Sequence, residues 1–385
     1  MSNDGLRMVK LRGLLLGFND RISRVTYPLA VSCCTTIITF AFGVCAALVF
    51  QKTIPAESWL GNWQHWDASH FLDLAQHGYP HQPGPREHLI ALLPVYPLAI
   101  RVAHLFIPEW HAVAVVLSNC CCAAALIYLF LLVQMEHDAA VARRAVLFCA
   151  VFPTAYFLHI AYSESIFLLL TVAAFYYARR GQWLVCGVLG MLATGTRIPG
   201  LAVLPPVVFE YLQQRNFRWR AITANVGFLL LVPLGAVAYL LINYYCFHDP
   251  LHFLATQKQS WGVFLRWPFQ SVTANWYGIR HFSADERVVQ YGGPFVAFIF
   301  STVALCAAPF ALRPCYSLYL GVSWVMIFFN NFPVSSPRYL LVVFPIFILL
   351  ARLTRAEWLR DSVAFLFALL YGICSMHFAR GWWAF

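Results

Sequence analysis

Several long stretches of this chain carry no charged side chain, and that pattern limits the fold more than any motif does. No Asp, Glu, Lys or Arg occurs between Arg24 and Lys52, Glu109 and Glu136, Arg220 and Asp249, or Arg287 and Arg313. Each gap meets the length of about 20 apolar residues that crosses a hydrocarbon core. One such run fits a buried core helix, but several in one chain require a multi-pass membrane protein. Composition agrees: 61% of residues are hydrophobic and 11% charged, against roughly 25% charged in a soluble domain.

The formal net charge of +10 fits membrane orientation, because the cationic residues gather in short loops. No basic stripe is interleaved with stacking aromatics, so nucleic acid is excluded as a partner. Of the 12 cysteines, Cys33, Cys34, Cys45, Cys120, Cys121, Cys122, Cys149, Cys186, Cys306 and Cys374 fall inside apolar runs, where Cys acts as a small hydrophobe. No CxxC pair with flanking His is present, so no zinc site is expected. The absence of an Asn-x-Ser/Thr sequon favours a bacterial origin. Arg7, Lys10, Arg12, Arg21 and Arg24 precede the first apolar run, which reads as an uncleaved span. A short amphipathic segment from Val9 to Phe18 would lie on the cytoplasmic surface.

Basic clusters at Arg7 to Arg24, Arg143-Arg144, Arg179-Arg180, Arg215 to Arg220, Arg313 and Arg352 to Arg360 can all be placed on the cytoplasmic side. Spans then fall at about 27–50, 111–134, 145–161, 164–179, 182–196, 198–212, 221–246, 293–312, 314–331, 338–352 and 361–380. The expectation is an all-α polytopic membrane protein of about eleven transmembrane helices, within a range of about 10 to 13, forming a single domain. The apolar stretch 89–107 contains Pro94, Pro97 and Arg101 and reads as a Pro-broken, partly embedded segment. Two long loops, 51–110 and 247–292, face the far side together with short turns near Glu164, Arg197 and Arg338. The polar chemistry is thus expected on one face of the membrane.

The first loop is the densest polar cluster. It holds His65, Trp66, Asp67, His70, Asp73, His77, Tyr79, Arg86, Glu87 and His88. Trp66, His70 and Asp73 stand at roughly helical spacing, as do His70 and His77. A carboxylate such as Asp67, partly desolvated by the adjacent indole, would hold a proton more readily and serve as general base toward a hydroxyl. The alternative is a loop carboxylate capping a helix. The His residues lack a strong ligand spacing and read as interfacial polar groups rather than metal ligands. Glu164 is either a second acid in the same cavity or an acid at a helix N-terminus. Arg197 and Arg338, where apolar runs break, suit either phosphate recognition or snorkelling to lipid headgroups. Lys258 is a weaker phosphate candidate. No Walker loop or Rossmann glycine pattern supports a nucleotide donor.

At these residues the chain resembles the second GPI mannosyltransferase family (PIG-V) and its bacterial relatives, within the GT-C class of glycosyltransferases. The resemblance rests on His65-Trp66-Asp67-Ala68-x-His70-Phe71-Leu72, on Ala75-x-His77-Gly78-Tyr79, and on Glu87-His88 with Pro94 and Pro97. It continues at Tyr162-Ser163-Glu164, Gly195-x-Arg197-x-x-Gly200 and Pro337-Arg338-Tyr339. It implies a polyprenyl-phosphate-linked sugar donor, usually mannose, and inverting transfer to a hydroxyl without a metal cofactor. Asp67 would be the acid of the first loop and Glu164 that of the second. Arg197 and Arg338 would hold the departing lipid phosphate. His65, Trp66, His70, His77, Tyr79, Glu87, His88, Lys258 and Tyr339 would complete the substrate site.

The chain is shorter than eukaryotic members, and the acceptor stays open between a GPI precursor and a bacterial envelope glycolipid, polysaccharide or protein. The expected location is a bacterial inner membrane with the site facing the periplasm, or an endoplasmic reticulum membrane with a lumenal site. A transporter or flippase of lipid-linked sugars is the alternative, but such proteins usually show inverted repeats and no repeat is visible. A scaffold subunit would leave the acidic first loop without a reason.

Overall fold

The computed structural model describes residues 3–51, 59–281, 291–331 and 333–384. Residues 52–58 and 282–290 of the two expected external loops, and Phe385, lie outside the described residues. Among the described residues the protein is helical, with one isolated bridge between Leu265 and Asn330.

The helices run α1 Asn3–Ala46, α2 Asp67–His77, α3 Val95–Ala103, α4 Trp110–Gln134, α5 Ala139–Ala150, α6 Glu164–Arg179, α7 Trp183–Thr196 and α8 Leu204–Gln213. They continue as α9 Leu234–Phe247, α10 His252–Trp261, α11 Pro268–His281, α12 Gly293–Ala311, α13 Pro314–Phe328, α14 Ser336–Leu340, α15 Pro345–Leu353 and α16 Glu357–Ala379. Ile22–Phe50, Trp110–Gln134, Gly293–Ala311 and Glu357–Ala379 are long and apolar enough to cross a membrane, and Ala224–Leu231 with α9 forms one further bent pair. This is an integral multi-pass membrane protein.

The eleven expected crossings do not all appear as single helices. The expected surface segment Val9 to Phe18 is continuous with the first span in α1. The expected span 145–161 is helical only to Ala150, because Pro153 cannot continue the ladder. The expected spans 198–212 and 338–352 open on short turns that precede prolines. Residues 89–107 hold the end of a 3-10 turn, Glu87–Ala91, and the nine-residue α3, each too short to cross.

The break after α5 matters for the site. From Thr154 to Ser163 the chain is irregular yet buried throughout, and irregular backbone at membrane depth needs partners from protein. Helix α4 supplies them: Asn119 Nδ2 donates to the His159 carbonyl (2.9 Å) and Ser118 Oγ to that of Tyr162 (3.3 Å). Helix α6 consequently starts inside the protein, and most of its 16 residues are buried. At about 1.5 Å per residue it spans roughly 24 Å. It packs against α4 and α7, with α15 covering α5.

Helices α7 and α9 approach through glycine. A Cβ at Gly235 would lie 2.1 Å from the Met191 carbonyl oxygen and 2.5 Å from Gly195 N. Small residues at such a seam let backbones touch, as is common where lipid gives no hydrophobic drive between helices. All 12 cysteines are free thiols.

Candidate active site

Asp67 and Arg338, 271 positions apart, meet through Asp67 Oδ2 and Arg338 Nη1 at 2.8 Å. Arg338 Nε donates to Glu164 Oε1 at 2.5 Å, and Arg197 Nη1 donates to that same oxygen. The result is a chain of alternating charges, Asp67, Arg338, Glu164 and Arg197, that is neutral in sum. Its exposure falls inward: the Asp67 side chain is 23% exposed, Arg338 5% and Glu164 1%. Asp67 forms the rim and Glu164 the floor.

Each member is placed by local sequence. The residues His65 to Ala68 form a turn closed by Ala68 N–H to the His65 carbonyl at 3.2 Å. Trp66 occupies its second position with φ 55° and ψ −125°, a conformation that normally calls for glycine. Such backbone costs on the order of 1–3 kcal/mol and gathers at functional sites. The turn delivers Asp67 to the first position of α2. A helix cap was one reading of Asp67, yet its Oδ2 is engaged by a guanidinium. The neighbouring indole packs on Trp383. Among the described residues Oδ1 has no hydrogen-bond partner.

Glu164 opens α6, where the helix dipole favours an anion. Its Oε2 is shielded from solvent with no hydrogen-bond partner among the described residues. Arg197 follows α7 in extended backbone, φ −153° and ψ 139°. The tight reversal behind it requires Gly200, where a Cβ would lie 2.4 Å from Thr194 N. Arg197 also donates to Ser163 Oγ at 3.3 Å and lies over the Tyr339 ring at 5.2 Å. Arg338 sits on α14, which Thr154 pins through the Pro337 carbonyl at 3.1 Å. The rings of Phe157 and Tyr162 stand 4.9 and 4.6 Å from its guanidinium, replacing lost hydration with cation–π contact.

The other expected site residues divide into separate groups. Nδ1 of His70 and Nε2 of His88 are 3.3 Å apart, with Trp261 of α10 near both rings. Burial first, and then the neighbouring His88, hold His70 below the usual histidine range. Glu87 pairs with His252 at 2.9 Å, which ties the first external loop to the second. His65 lies edge-on to Phe378 and its carbonyl accepts from Tyr162 Oη at 2.9 Å. Burial lowers its proton affinity. His77 belongs to an outer cluster with Asp73 and Arg86, apart from Asp67. Burial pushes the Asp73 carboxyl up, but bonds from Arg86 and His77 outweigh it and hold the group low. Tyr79 donates to the Leu92 carbonyl at 2.7 Å, a bond that shapes the loop. Lys258 is exposed on α10 and makes no ion pair with the four-charge chain. No group of three or more metal-ligating side chains occurs among the described residues.

Sequence reasoning missed the second ion cluster. At the opposite end of α6, Arg179 pairs with Glu136 and with Glu210 (3.2 Å), and Arg313 pairs with Glu210 at 2.8 Å. These arginines read as orientation signals in the sequence. Only their positions in a buried interface show that carboxylates claim them. His252, Trp261 and Trp383 were likewise not singled out, because their signal is spatial.

The family model described as Mannosyltransferase (PIG-V) matches residues 43–354, a range holding every member of the four-charge chain. The chain belongs to that family. GPI alpha-1,6-mannosyltransferase 2 of Homo sapiens is 34% identical to it over 158 residues, which is 38% of this chain and 31% of that protein. The Mus musculus protein of that name is 32% identical over 162 residues, with the same coverage of 38% and 31%. The PIG-V-type chain thus spans about a third of the length of these relatives in the matched region. Among solved structures, the apo Archaeoglobus fulgidus oligosaccharyltransferase aligns with TM-score 0.47 at 11% identity, over 93% of this chain and 56% of that one. ArnT from Cupriavidus metallidurans bound to undecaprenyl phosphate aligns with TM-score 0.39 at 12% identity, over 82% and 72%.

Proposed function

We propose that this PIG-V family member is a GT-C class glycosyltransferase that moves a sugar, mannose first, from a polyprenyl-phosphate donor to an acceptor hydroxyl with inversion. The observation that carries the reading is the chain Asp67–Arg338–Glu164–Arg197, largely buried behind its rim acid, in an apolar helical bundle.

In this reading Asp67 takes the proton of the acceptor hydroxyl through its open oxygen. The acceptor oxygen forms a bond to the anomeric carbon, and the opposite carbon–oxygen bond breaks with its electron pair passing to the phosphate. Arg338 fixes the orientation of Asp67. Arg197, less buried than Arg338, is the cation placed to meet the departing phosphate. Glu164 is a positioning residue: it holds both guanidinium groups where charge develops, and such preorganised charge is usually a large catalytic contribution. This differs from a second acid acting on substrate. The acceptor is a glycolipid, glycan or protein of the bacterial periplasmic face, with a GPI-type acceptor at an endoplasmic reticulum membrane as the second choice.

In this reading Arg197, rather than a divalent cation, meets the departing phosphate, so turnover is expected to survive chelation by EDTA. The test is incubation of purified, reconstituted protein with polyprenyl-phosphate mannose, glucose or no sugar, reading release of free polyprenyl phosphate. Mannose-dependent release supports the reading. No release from any sugar-bearing lipid, across candidate acceptors, contradicts it.

A further inference from the structure

Helix α16 ends at Ala379, and Gly381 at φ 75° closes it. Trp382 N–H donates to the His377 carbonyl at 3.1 Å and Gly381 N–H to that of Phe378 at 2.8 Å, the left-handed closure in which glycine is favoured. The following residues therefore turn back over the first loop. A Cβ at Gly381 would sit 3.4 Å from the His65 ring, and Tyr156 Oη donates to the Ala384 carbonyl at 2.5 Å. Trp383 comes to rest edge-on to Trp66, with ring centroids 4.9 Å apart and planes at 80°.

Two unfavourable features coincide at that pair. Trp66 adopts backbone suited to glycine, and the Trp383 indole N–H is shielded from water with no acceptor among the described residues. A buried unsatisfied donor in a native fold calls for a reason. Here the ring's orientation is set by the partner indole rather than by its own polar group. Trp66 remains 46% exposed and directly precedes Asp67. An exposed indole braced by a second, beside a carboxylate, matches the chemistry of a pyranose: apolar C–H faces against the ring, hydroxyls toward the acid.

We propose that Trp383 and Trp66 form a subsite that stacks a hexopyranosyl ring beside Asp67. The inference rests on the transferase reading and adds the sugar's location. The matched family region ends at residue 354, so it assigns no role to Trp383. Trp66 touches the ring, and Trp383 acts through Trp66 as a positioning residue.

The test uses the full chain in nanodiscs, with radiolabelled polyprenyl-phosphate mannose and bare polyprenyl phosphate as probes. Trp383→Ala should weaken binding of the mannosyl lipid about tenfold and leave bare lipid phosphate within about twofold. Trp383→Phe, which keeps an aromatic edge, should restore most of the loss. If instead donor affinity holds and KM for a mannoside acceptor rises, the stacked ring is the acceptor's and the subsite stands. Equal weakening of both lipids, or no change in donor affinity and acceptor KM, overturns the subsite. A wild-type protein that releases no polyprenyl phosphate from the mannosyl lipid with any acceptor overturns the transferase reading itself.

Discussion

Glu164 holds two guanidinium groups on one oxygen, with its side chain 1% exposed. Removing its charge leaves Arg197 without a carboxylate and Arg338 with Asp67 alone, and breaking a comparable buried pair costs about 3–5 kcal/mol. Glu164→Gln should therefore lower unfolding stability in detergent by roughly that amount, as read by chemical denaturation. A loss no larger than that of a surface substitution would show that the arginines find water instead. Glu164, Arg197 and Arg338 could be picked out of the sequence because each interrupts an apolar run, where an ionisable group is costly, and Asp67 because it stands in the densest polar cluster. Which of them pair could not be read. His77 shows the limit: helical spacing put it in line with His70, yet Asp73, itself held by Arg86, claims it. Trp383 carries no charge and follows the last span, so nothing in its local sequence distinguishes it from an interfacial aromatic.

At the scale of elements, hydropathy gave α4, α6, α7 and α12 nearly residue for residue, because their ends coincide with charges, prolines or glycines. It failed after α5, where an apolar composition continues through a segment that is not α-helical. Apolar residues signal burial, and burial here is supplied by protein rather than lipid. The α7–α9 seam makes a sharper prediction. Side-chain atoms at Gly235 would overlap the backbone of Met191 and Gly195, which cannot yield as a flexible side chain does. Gly235→Val should cost about 1–3 kcal/mol and, because Gly195 lies two residues before Arg197, should raise the donor KM as well. Gly227→Ala, where a Cβ meets nothing within 4 Å, is the neutral control. Equal behaviour of the two variants in a thermal-shift and activity assay would remove Gly235 from the argument.

For the whole molecule, two clusters of buried arginines and carboxylates stand at the two ends of α6. The Asp67 cluster opens to the exterior through its rim acid, and the Glu210 cluster is closed, with Arg179, Arg313 and Gln214 all engaged by Glu210. The closed cluster is a clasp between α6, α8 and α13. Glu210→Gln should destabilise the fold by about 3 kcal/mol while the folded fraction keeps its donor KM and turnover. A changed KM at equal folded fraction would mean that the clasp communicates with the site. The central claim, however, concerns the rim. Asp67→Asn keeps the size of the side chain and removes the base, and general-base contributions of about 10²–10⁴ in rate are usual. In reconstituted protein, release of polyprenyl phosphate from polyprenyl-phosphate mannose should fall by at least about a hundredfold, with donor binding retained. Near-normal release by correctly folded Asp67→Asn protein would contradict the assignment of Asp67 as the base.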